Sequence, residues 1–300
     1  MNDDGATASG TADRARAEAG DVVRLEGVSM VFGAEGSGRK VEALRDIDLS
    51  VGRGEFISLI GPSGCGKSTL LRIVGDLVSP TAGTVTVNDK PARRARLDRD
   101  YGMVFQAPVL FDWRTVQKNV ELPLEIIGAP GRQRAEKARA MLELVELADF
   151  GGLRPWQLSG GMQQRVAIAR ALALDPAILL MDEPFGALDE MTRERMNLEL
   201  HRIWGQTGTT VIFVTHSIPE AVFLSTRVVV MSARPGRIST IVPVDLPRER
   251  SVETREADRY FHLVTQVREA LRAPDVAPDV DGPGGRAEDL ARARAEGLSG

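Results

Sequence analysis

The chain has 300 residues, a formal net charge of −4 at pH 7, and 43% hydrophobic and 27% charged residues, which is an ordinary soluble composition. Its acidic balance argues against a general nucleic-acid binder, and its single cysteine excludes an intrachain disulfide or a cysteine-rich zinc site. No apolar run reaches the length of a membrane span, and the N-terminus lacks the apolar core of a signal peptide. We therefore expect a cytosolic protein that reaches a membrane only through a partner.

Strand-like segments dominate the first third of the chain. Residues 1–20 are polar and rich in alanine and glycine, which predicts a disordered tail. Five apolar runs separated by turn residues then predict strands, at 22–32, 44–51, 55–61, 83–89 and 101–106. A basic cluster follows the fourth run, and we interpret it as a solvated polar loop; it comprises Arg93, Arg94, Arg96 and Arg99.

Helical periodicity replaces this pattern from about residue 113 to 149. Residues 131–150 carry apolar side chains three and four positions apart, which gives a helix one apolar face. Apolar strands that alternate with helices return from residue 177 to 244 and predict a mainly parallel sheet covered on both faces. We therefore predict an α/β protein in which a helical lobe is inserted at about residues 107–160. A short helix at 251–272 and a second disordered tail at 273–300 complete the expected organisation.

The sequence GPSGCGKST, residues 61–69, has the spacing of a phosphate-binding loop. Gly64 and Gly66 let the backbone wrap around phosphate oxygens, Lys67 supplies a cation for the outer phosphates, and the Ser68 hydroxyl is a ligand for Mg²⁺. A predicted strand precedes the loop and a predicted helix follows it, which is the context that the motif requires. Cys65 lies inside the loop, where a small side chain is needed, and we do not expect a catalytic thiol.

Polar residues end three of the predicted strands. Asp182 follows a buried apolar run and is expected to hold Mg²⁺, directly or through water. Glu183 adds a second carboxylate, which we interpret as the general base that activates the attacking water. His216 ends a neighbouring strand, where it can reach the outermost phosphate or the water. Gln106 is expected to contact the metal or the water.

A second glycine turn starts a helix at LSGGMQQR, residues 158–165. Ser159 is a good N-cap, and Gly160 and Gly161 leave the backbone N–H groups exposed, so this helix terminus can bind an anion. An ordinary capped helix is the alternative interpretation. Because one nucleotide cannot contact both glycine turns of the same chain, we favour a site for the nucleotide of a second chain.

In this order, the motifs resemble those of the ATP-binding subunits of ABC transporters over about residues 22–245. The loop is similar to their Walker A motif, Gln106 to the Q-loop, LSGGMQQR to the signature motif, ILLMDEP to Walker B, GALDE to the D-loop and His216 to the switch histidine. The resemblance implies a P-loop NTPase fold over residues 21–250. That fold has a RecA-like parallel sheet core, an N-terminal antiparallel β subdomain and an inserted α-helical subdomain.

The resemblance also implies ATP and Mg²⁺ as cofactors and a head-to-tail homodimer that drives a membrane permease, with no nucleic-acid partner. The subunit would lie peripherally on the cytoplasmic face of the membrane and serve a solute-binding protein indirectly. Phe32 would stack on adenine, and Asp189 would bridge the two subunits. The residues expected to bind the nucleotide in the first loop are Gly61, Pro62, Ser63, Gly64, Cys65, Gly66, Lys67, Ser68 and Thr69.

Two longer stretches, residues 105–125 and 215–238, resemble the nitrate/sulfonate/taurine class of bacterial importers. That class includes subunits for pyrimidine-type vitamin precursors, and Ser217 after the switch histidine favours this branch. The alternatives are an exporter subunit and a soluble ABC ATPase that acts on DNA or ribosomes. The second of these generally needs tandem nucleotide domains, zinc-binding cysteines or a long coiled-coil insertion, and none of these features is evident in the sequence.

Overall fold

The computed structural model describes residues 20–33 and 40–272. Apart from Gly20, the two predicted tails at 1–20 and 273–300 lie outside the described residues. Within the described ranges, no helix is both long enough and apolar enough to cross a membrane.

The N-terminal part forms an antiparallel sheet of four strands in the order β2-β1-β4-β5. The strands are β1 Asp21–Phe32, β2 Val41–Gly52, β4 Ala82–Val87 and the short β5 Lys90–Pro91. β1 and β2 pair along most of their length, from Asp21 opposite Gly52 to Phe32 opposite Val41. This sheet is the expected N-terminal antiparallel β subdomain.

The central sheet has six strands in the order β10-β9-β3-β8-β7-β6, and only β10 pairs antiparallel to its neighbour. The strands are β3 Phe56–Ile60, β6 Tyr101–Val104, β7 Ile178–Asp182, β8 Thr210–Val214, β9 Arg227–Met231 and β10 Ile238–Pro243. Every residue of β3 is buried because its side chains alternate between two cores. Phe56 and Ile60 pack into one core, and Ile57 and Leu59 pack into the other. This two-sided burial explains why the strand reads as a continuous apolar run.

Eight α-helices surround the sheets within the described residues. They are α1 Lys67–Val74, α2 Ala92–Asp98, α3 Val116–Ile126, α4 Gly131–Leu144, α5 Gly160–Leu172, α6 Glu190–Thr207, α7 Ile218–Leu224 and α8 Asp258–Arg272. β6 and β7 are parallel neighbours, so the chain between them must cross over the sheet. The helices α3, α4 and α5 form this crossover; α3 and α4 lie within the predicted lobe at 107–160, and α5 begins where those bounds end.

The structure differs from the sequence prediction at the arginine cluster. Three of its four arginines lie on helix α2 and the fourth follows it, where a polar loop was predicted. Ala92 and Ala95 of this helix are buried against the core, and the Lys90 ammonium lies 2.9 Å from the Asp98 carboxylate. An ion pair with β5 and two alanine contacts with the core therefore stabilise a helix that is too short to show periodicity in sequence.

Two helices are also shorter than predicted. The helix expected over 131–150 ends at Leu144, because Glu146 adopts a left-handed φ of 55° and the Leu147 N–H turns back to the Leu142 carbonyl at 2.8 Å. The C-terminal helix begins at Asp258 rather than at residue 251, since Glu253–Glu256 form a 3₁₀ turn.

One buried histidine of α6 lies in an aromatic cluster. The His201 ring lies 5.4 Å from the Trp204 ring and 6.1 Å from the Phe223 ring, and its Nε2 atom has no hydrogen-bond partner among the described residues. Burial, reinforced by the positive charge of Arg250, lowers the pKa of His201 to about 4. Folding therefore requires this imidazole to be neutral.

We expect acid to destabilise the fold through His201. Because its pKa is lowered on folding, its contribution to stability is complete above pH 6.5 and is lost as the pH falls towards 4. Between pH 7 and pH 4.5 the wild type should lose about 2 kcal/mol more unfolding free energy than His201→Gln. Urea denaturation at the two pH values measures this difference. The exposed His262 supplies the control, and a His262→Gln variant that abolished the same loss would contradict the assignment.

Candidate functional site

The site lies where three parallel strands end at one edge of the central sheet. β8 pairs with β3 on one side and with β7 on the other, so that Val214 lies opposite both Leu59 and Asp182. The phosphate loop follows β3, Asp182 ends β7, and His216 comes two residues after β8. The register of the sheet therefore brings together residues that are far apart in sequence.

The loop between β3 and α1 needs glycine at two positions. Gly64 and Gly66 have φ values of 78° and 94°, in the region that side chains rarely adopt. A Cβ on Gly66 would also lie 2.5 Å from the Leu44 Cδ2 atom and 3.0 Å from the Ala43 carbonyl oxygen. The loop thus presses against β2 as it turns into the first helix.

Lys67 begins α1 and folds back over this loop. Its side chain is buried, with 4% exposure, and its ammonium donates to the Gly61 carbonyl at 2.8 Å and the Pro62 carbonyl at 3.1 Å. Cys65 is fully buried in the core beneath the loop, as expected for a position that needs a small side chain. The Lys67 ammonium therefore lies against two backbone carbonyls of the loop.

Ser68 and Asp182 form a pair of oxygen donors. The Ser68 hydroxyl donates to the Asp182 carboxylate at 2.7 Å. Hydroxyl and carboxylate oxygens suit Mg²⁺, which usually takes only one or two protein carboxylates and fills its other positions with water and phosphate oxygens. Within residues 20–33 and 40–272 there is no group of three histidines, cysteines or acids that could hold a metal alone. The pair fits a Mg²⁺ ion that arrives with a phosphate ligand.

Glu183 and His216 face the loop from the neighbouring strand ends. The His216 Nε2 atom lies 2.5 Å from the Glu183 Oε1 atom. Glu183 has a left-handed φ of 49°, and its N–H donates to the Val214 carbonyl at 3.0 Å. Both residues line a cavity of about 290 Å³ with the loop. The lining residues are Ala43, Ser63, Gly64, Gly66, Lys67, Ser68, Thr69, Glu183 and His216.

A second cavity of about 280 Å³ adjoins the first and shares Glu183 and His216 with it. Gln106 lines this second cavity next to Gly186, where an added Cβ would come within 3.1 Å of the glutamine Nε2 atom. Four other residues line it that sequence reasoning did not identify as part of the site, namely Arg193, Thr215, Ser217 and Glu220. For one of them, Glu220, the sequence did contain a signal, because an acidic residue stands within the apolar run 218–224.

The helix start at Ser159 lies beside a different cavity. Ser159 caps α5 by accepting a hydrogen bond from the Met162 N–H at 3.4 Å. Ser159 and Gly161 line a cavity of about 260 Å³ that shares no residue with the phosphate-loop cavity. Gly160, the first residue of α5, is exposed, whereas Gly161, which was also expected to be exposed, is buried because α5 packs against the start of α6. Within one chain the second glycine turn is therefore separate from the first.

Asp189 belongs to the same region as the second glycine turn. It caps α6 by accepting a hydrogen bond from the Thr192 N–H at 3.0 Å, and this bond is the main reason that its pKa is lowered. A Cβ on Gly161 would lie 2.9 Å from the Thr192 side chain, so the starts of α5 and α6 are packed together. Asp189 and Ser159 thus lie on neighbouring helix N-termini.

Phe32, the predicted adenine contact, does not line the phosphate-loop cavity. It ends β1 with 43% of its surface exposed and is absent from the cavity lining, although Ala43 of the adjacent strand is present. An exposed aromatic ring is available for stacking. Its role as the adenine contact stays a prediction.

Comparison with known proteins identifies the family. The family model described as ABC transporter matches residues 44–186. An uncharacterized ABC transporter ATP-binding protein of Methanocaldococcus jannaschii is 51% identical over 82% of this chain and 90% of the relative. A taurine import ATP-binding protein of Pseudomonas entomophila is 45% identical over 75% of this chain and 84% of the relative. A nitrate import ATP-binding protein of Synechocystis is 42% identical over 77% of this chain and 89% of the relative.

This chain belongs to the ABC transporter ATP-binding proteins. A solved ATP-binding cassette, described as a dimeric post-hydrolysis state bound to ADP and Pi, superimposes with a TM-score of 0.64 and is 37% identical over 74% of this chain and 98% of its own. The similarity confirms the predicted P-loop NTPase fold and the resemblance to ABC transporter ATP-binding subunits. As a member of this family, the chain is an ATP-binding protein.

We expect Gly66→Ala to impair nucleotide binding by this ABC protein. The left-handed φ and the contact with Leu44 both oppose a Cβ at this position, so the loop must shift. Affinity for a fluorescent ATP analogue should fall by at least about 10-fold. Gly205→Ala is the matched control, because Gly205 lies in α6 with open space around its Cβ position. Equal affinity of the two variants would contradict this account of the loop.

Proposed function

We propose that this chain is the ATP-hydrolysing subunit of an ABC importer and couples ATP binding and hydrolysis to solute uptake through a membrane permease. The convergence of the phosphate loop, the Ser68–Asp182 pair and the Glu183–His216 pair on one edge of the sheet carries the proposal. This arrangement combines phosphate binding, a site for Mg²⁺ and a candidate general base at one edge of the sheet. Sequence identity of 42–45% to taurine and nitrate import proteins supports the importer assignment over the exporter and the soluble alternatives.

In the proposed mechanism, the phosphate loop binds the β- and γ-phosphates of ATP. The N–H groups of the loop and of the start of α1 would point towards the anion, and the Lys67 ammonium would exchange its two carbonyl partners for phosphate oxygens. Ser68, Asp182 and Gln106 would hold Mg²⁺, which when bound neutralises charge on the phosphates. The remaining loop contacts with the nucleotide would come from Gly61, Pro62, Ser63, Gly64, Cys65, Gly66 and Thr69, and Phe32 would stack on adenine.

Glu183 would accept a proton from the attacking water. Its carboxylate lies at the edge of the phosphate-loop cavity, and the contact with His216 fixes one of its two oxygens. The other oxygen is then free to orient a water towards the γ-phosphate. His216 would contact the same phosphate and keep the carboxylate in place. Gln106, in the adjoining cavity, would report whether the metal and the water are present.

A homodimer would complete the site. Ser159, Gly160 and Gly161 would bind the γ-phosphate of the ATP held by the other subunit, and Asp189 would bridge the two subunits. Two observations support this arrangement: the second glycine turn has its own cavity, and the similar cassette of known structure is described as dimeric. Each chain would therefore contribute half of each of two composite sites.

The permease would dock on the helical lobe. This lobe follows Gln106 in sequence and has large exposed apolar side chains on or next to it. They are Val109, Ile126 and Trp113, the last with 72% exposure. The subunit would lie peripherally on the cytoplasmic face of the membrane, and a solute-binding protein would deliver the solute to the permease. The solute would be of the nitrate, sulfonate or taurine type, with a pyrimidine-type precursor as the alternative.

We expect Glu183→Gln to bind ATP but not to hydrolyse it. Removing the base should lower turnover by at least about 100-fold, while the phosphate loop that binds ATP is unchanged. The variant should accumulate as an ATP-bound dimer. Phosphate release measures turnover, and analytical ultracentrifugation with and without ATP measures the dimer. Hydrolysis at the wild-type rate would contradict the assigned role of Glu183.

We expect Ser159→Ala to lower turnover strongly with little effect on the ATP affinity of the monomer. The serine would contact only the nucleotide of the partner, so turnover should fall by at least about 10-fold while monomer affinity changes less than about twofold. Thr115→Ala is the matched control, because Thr115 caps α3 through the Lys118 N–H in the same way. A large loss of monomer affinity in Ser159→Ala would contradict the cross-subunit assignment.

A further inference from the structure

Helix α7 carries a buried carboxylate that the proposed mechanism does not use. Glu220 is only 5% exposed, and its Oε2 atom accepts a hydrogen bond from the Thr215 hydroxyl. Its Oε1 atom has no hydrogen-bond partner among the described residues. Glu220 lines the same cavity as Glu183 and His216. A buried and half-satisfied carboxylate is costly for the fold and indicates a specific role at this position.

Glu220 forms hydrogen bonds with the two residues that flank His216 in sequence. Thr215 directly precedes the histidine and is 4% exposed, and its hydroxyl accepts from the Ser217 N–H at 3.0 Å. Ser217 directly follows the histidine, and its own hydroxyl accepts from the Glu220 N–H at 3.4 Å. These three bonds form a closed ring through Thr215, Ser217 and Glu220. We call this ring the Glu220 clamp.

The histidine itself depends on this backbone for its position. The His216 side chain is 46% exposed, so packing restrains it only weakly. Its Nε2 atom nevertheless lies 2.5 Å from Glu183. A small rotation of the backbone between Thr215 and Ser217 would move the ring away from that oxygen. The clamp holds the residues on both sides of the histidine, and the Thr215 N–H also donates to the Leu59 carbonyl at 3.3 Å.

The far side of α7 is anchored to the C-terminal segment. The Tyr260 hydroxyl of α8 donates to the Pro219 carbonyl at 3.0 Å. The Arg250 guanidinium donates to the Ser225 carbonyl at 2.8 Å, and further bonds join it to the Val222 and Phe223 carbonyls at the end of the helix. The helix that carries Glu220 is thus held at both ends and can act as a rigid support.

We propose that Glu220 is a positioning residue for His216 and acts through the hydroxyl of Thr215. The proposal rests on the proposed function, since it assigns the alignment of His216 with Glu183 to the clamp. Burial raises the pKa of Glu220 to about 7, and the Thr215 hydroxyl opposes this shift. The hydroxyl bond can form with either protonation state of the carboxyl group, so the clamp needs an oxygen acceptor rather than a charge.

Two pairs of variants test the clamp. Glu220→Ala removes the acceptor and Thr215→Val removes the hydroxyl at nearly constant shape, whereas Glu220→Gln and Thr215→Ser retain them. We expect the first pair to lower kcat for ATP hydrolysis by about 10-fold or more, with the KM for ATP within about twofold, because only an oriented group has been displaced. The second pair should retain at least half of the wild-type kcat. Equal losses in the two variants at Glu220, equal losses in the two variants at Thr215, or a wild-type kcat in Thr215→Val would overturn the proposal.

Imidazole NMR gives a second readout that does not depend on hydrolysis. The chain has three histidines, and variants of His201 and His262 assign their resonances. The His216 resonances should shift in Glu220→Ala and Thr215→Val and stay in place in Glu220→Gln and Thr215→Ser, while those of His262 are unchanged in all four. Unchanged His216 resonances in Thr215→Val would contradict the clamp. A wild-type protein without ATPase activity would instead contradict the proposed function, and the NMR comparison would still decide on the clamp.

Discussion

The parallel register of β3, β8 and β7 determines the geometry of the whole site. Val214 lies opposite Leu59 on one side and Asp182 on the other, so the three strands end at the same level. Every residue of β3 and β8, and all but the last of β7, is buried, which fixes this register because a slip would expose apolar side chains. The geometry of the candidate site is therefore a consequence of core packing.

Because the two glycine turns of one chain are separate, the proposed mechanism requires two chains to complete each ATP site. The first turn presses against β2 and holds Lys67 over its own carbonyls, while the second begins α5 beside a separate cavity. Asp189 caps the helix next to this second cavity. A surface with two exposed helix N-termini and no phosphate loop is suited to receive an anion carried by another molecule. In the proposed dimer each such surface closes the ATP site of the other chain.

Local chemistry explains which features could be predicted from the sequence. The phosphate loop and the strand-end acids were predictable because glycine spacing and apolar runs encode them within a few residues. Helix α2 was missed, because its alanine contacts and its ion pair with Lys90 are tertiary. Helix α4 ends where Glu146 adopts a left-handed φ, and the sequence does not predict this end because no common cap residue is present there. The role of Glu220 could be inferred only from the structure, since the sequence shows no more than one acidic residue in an apolar run.

The structure of Glu183→Gln with ATP and Mg²⁺ tests the account most directly. We expect a head-to-tail dimer in which each γ-phosphate lies within about 3 Å of the Ser159 hydroxyl of the partner subunit. Lys67 should contact the same phosphate from the subunit that holds the loop. A structure in which one chain alone encloses its ATP, with both Ser159 side chains remote from phosphate, would contradict the composite site.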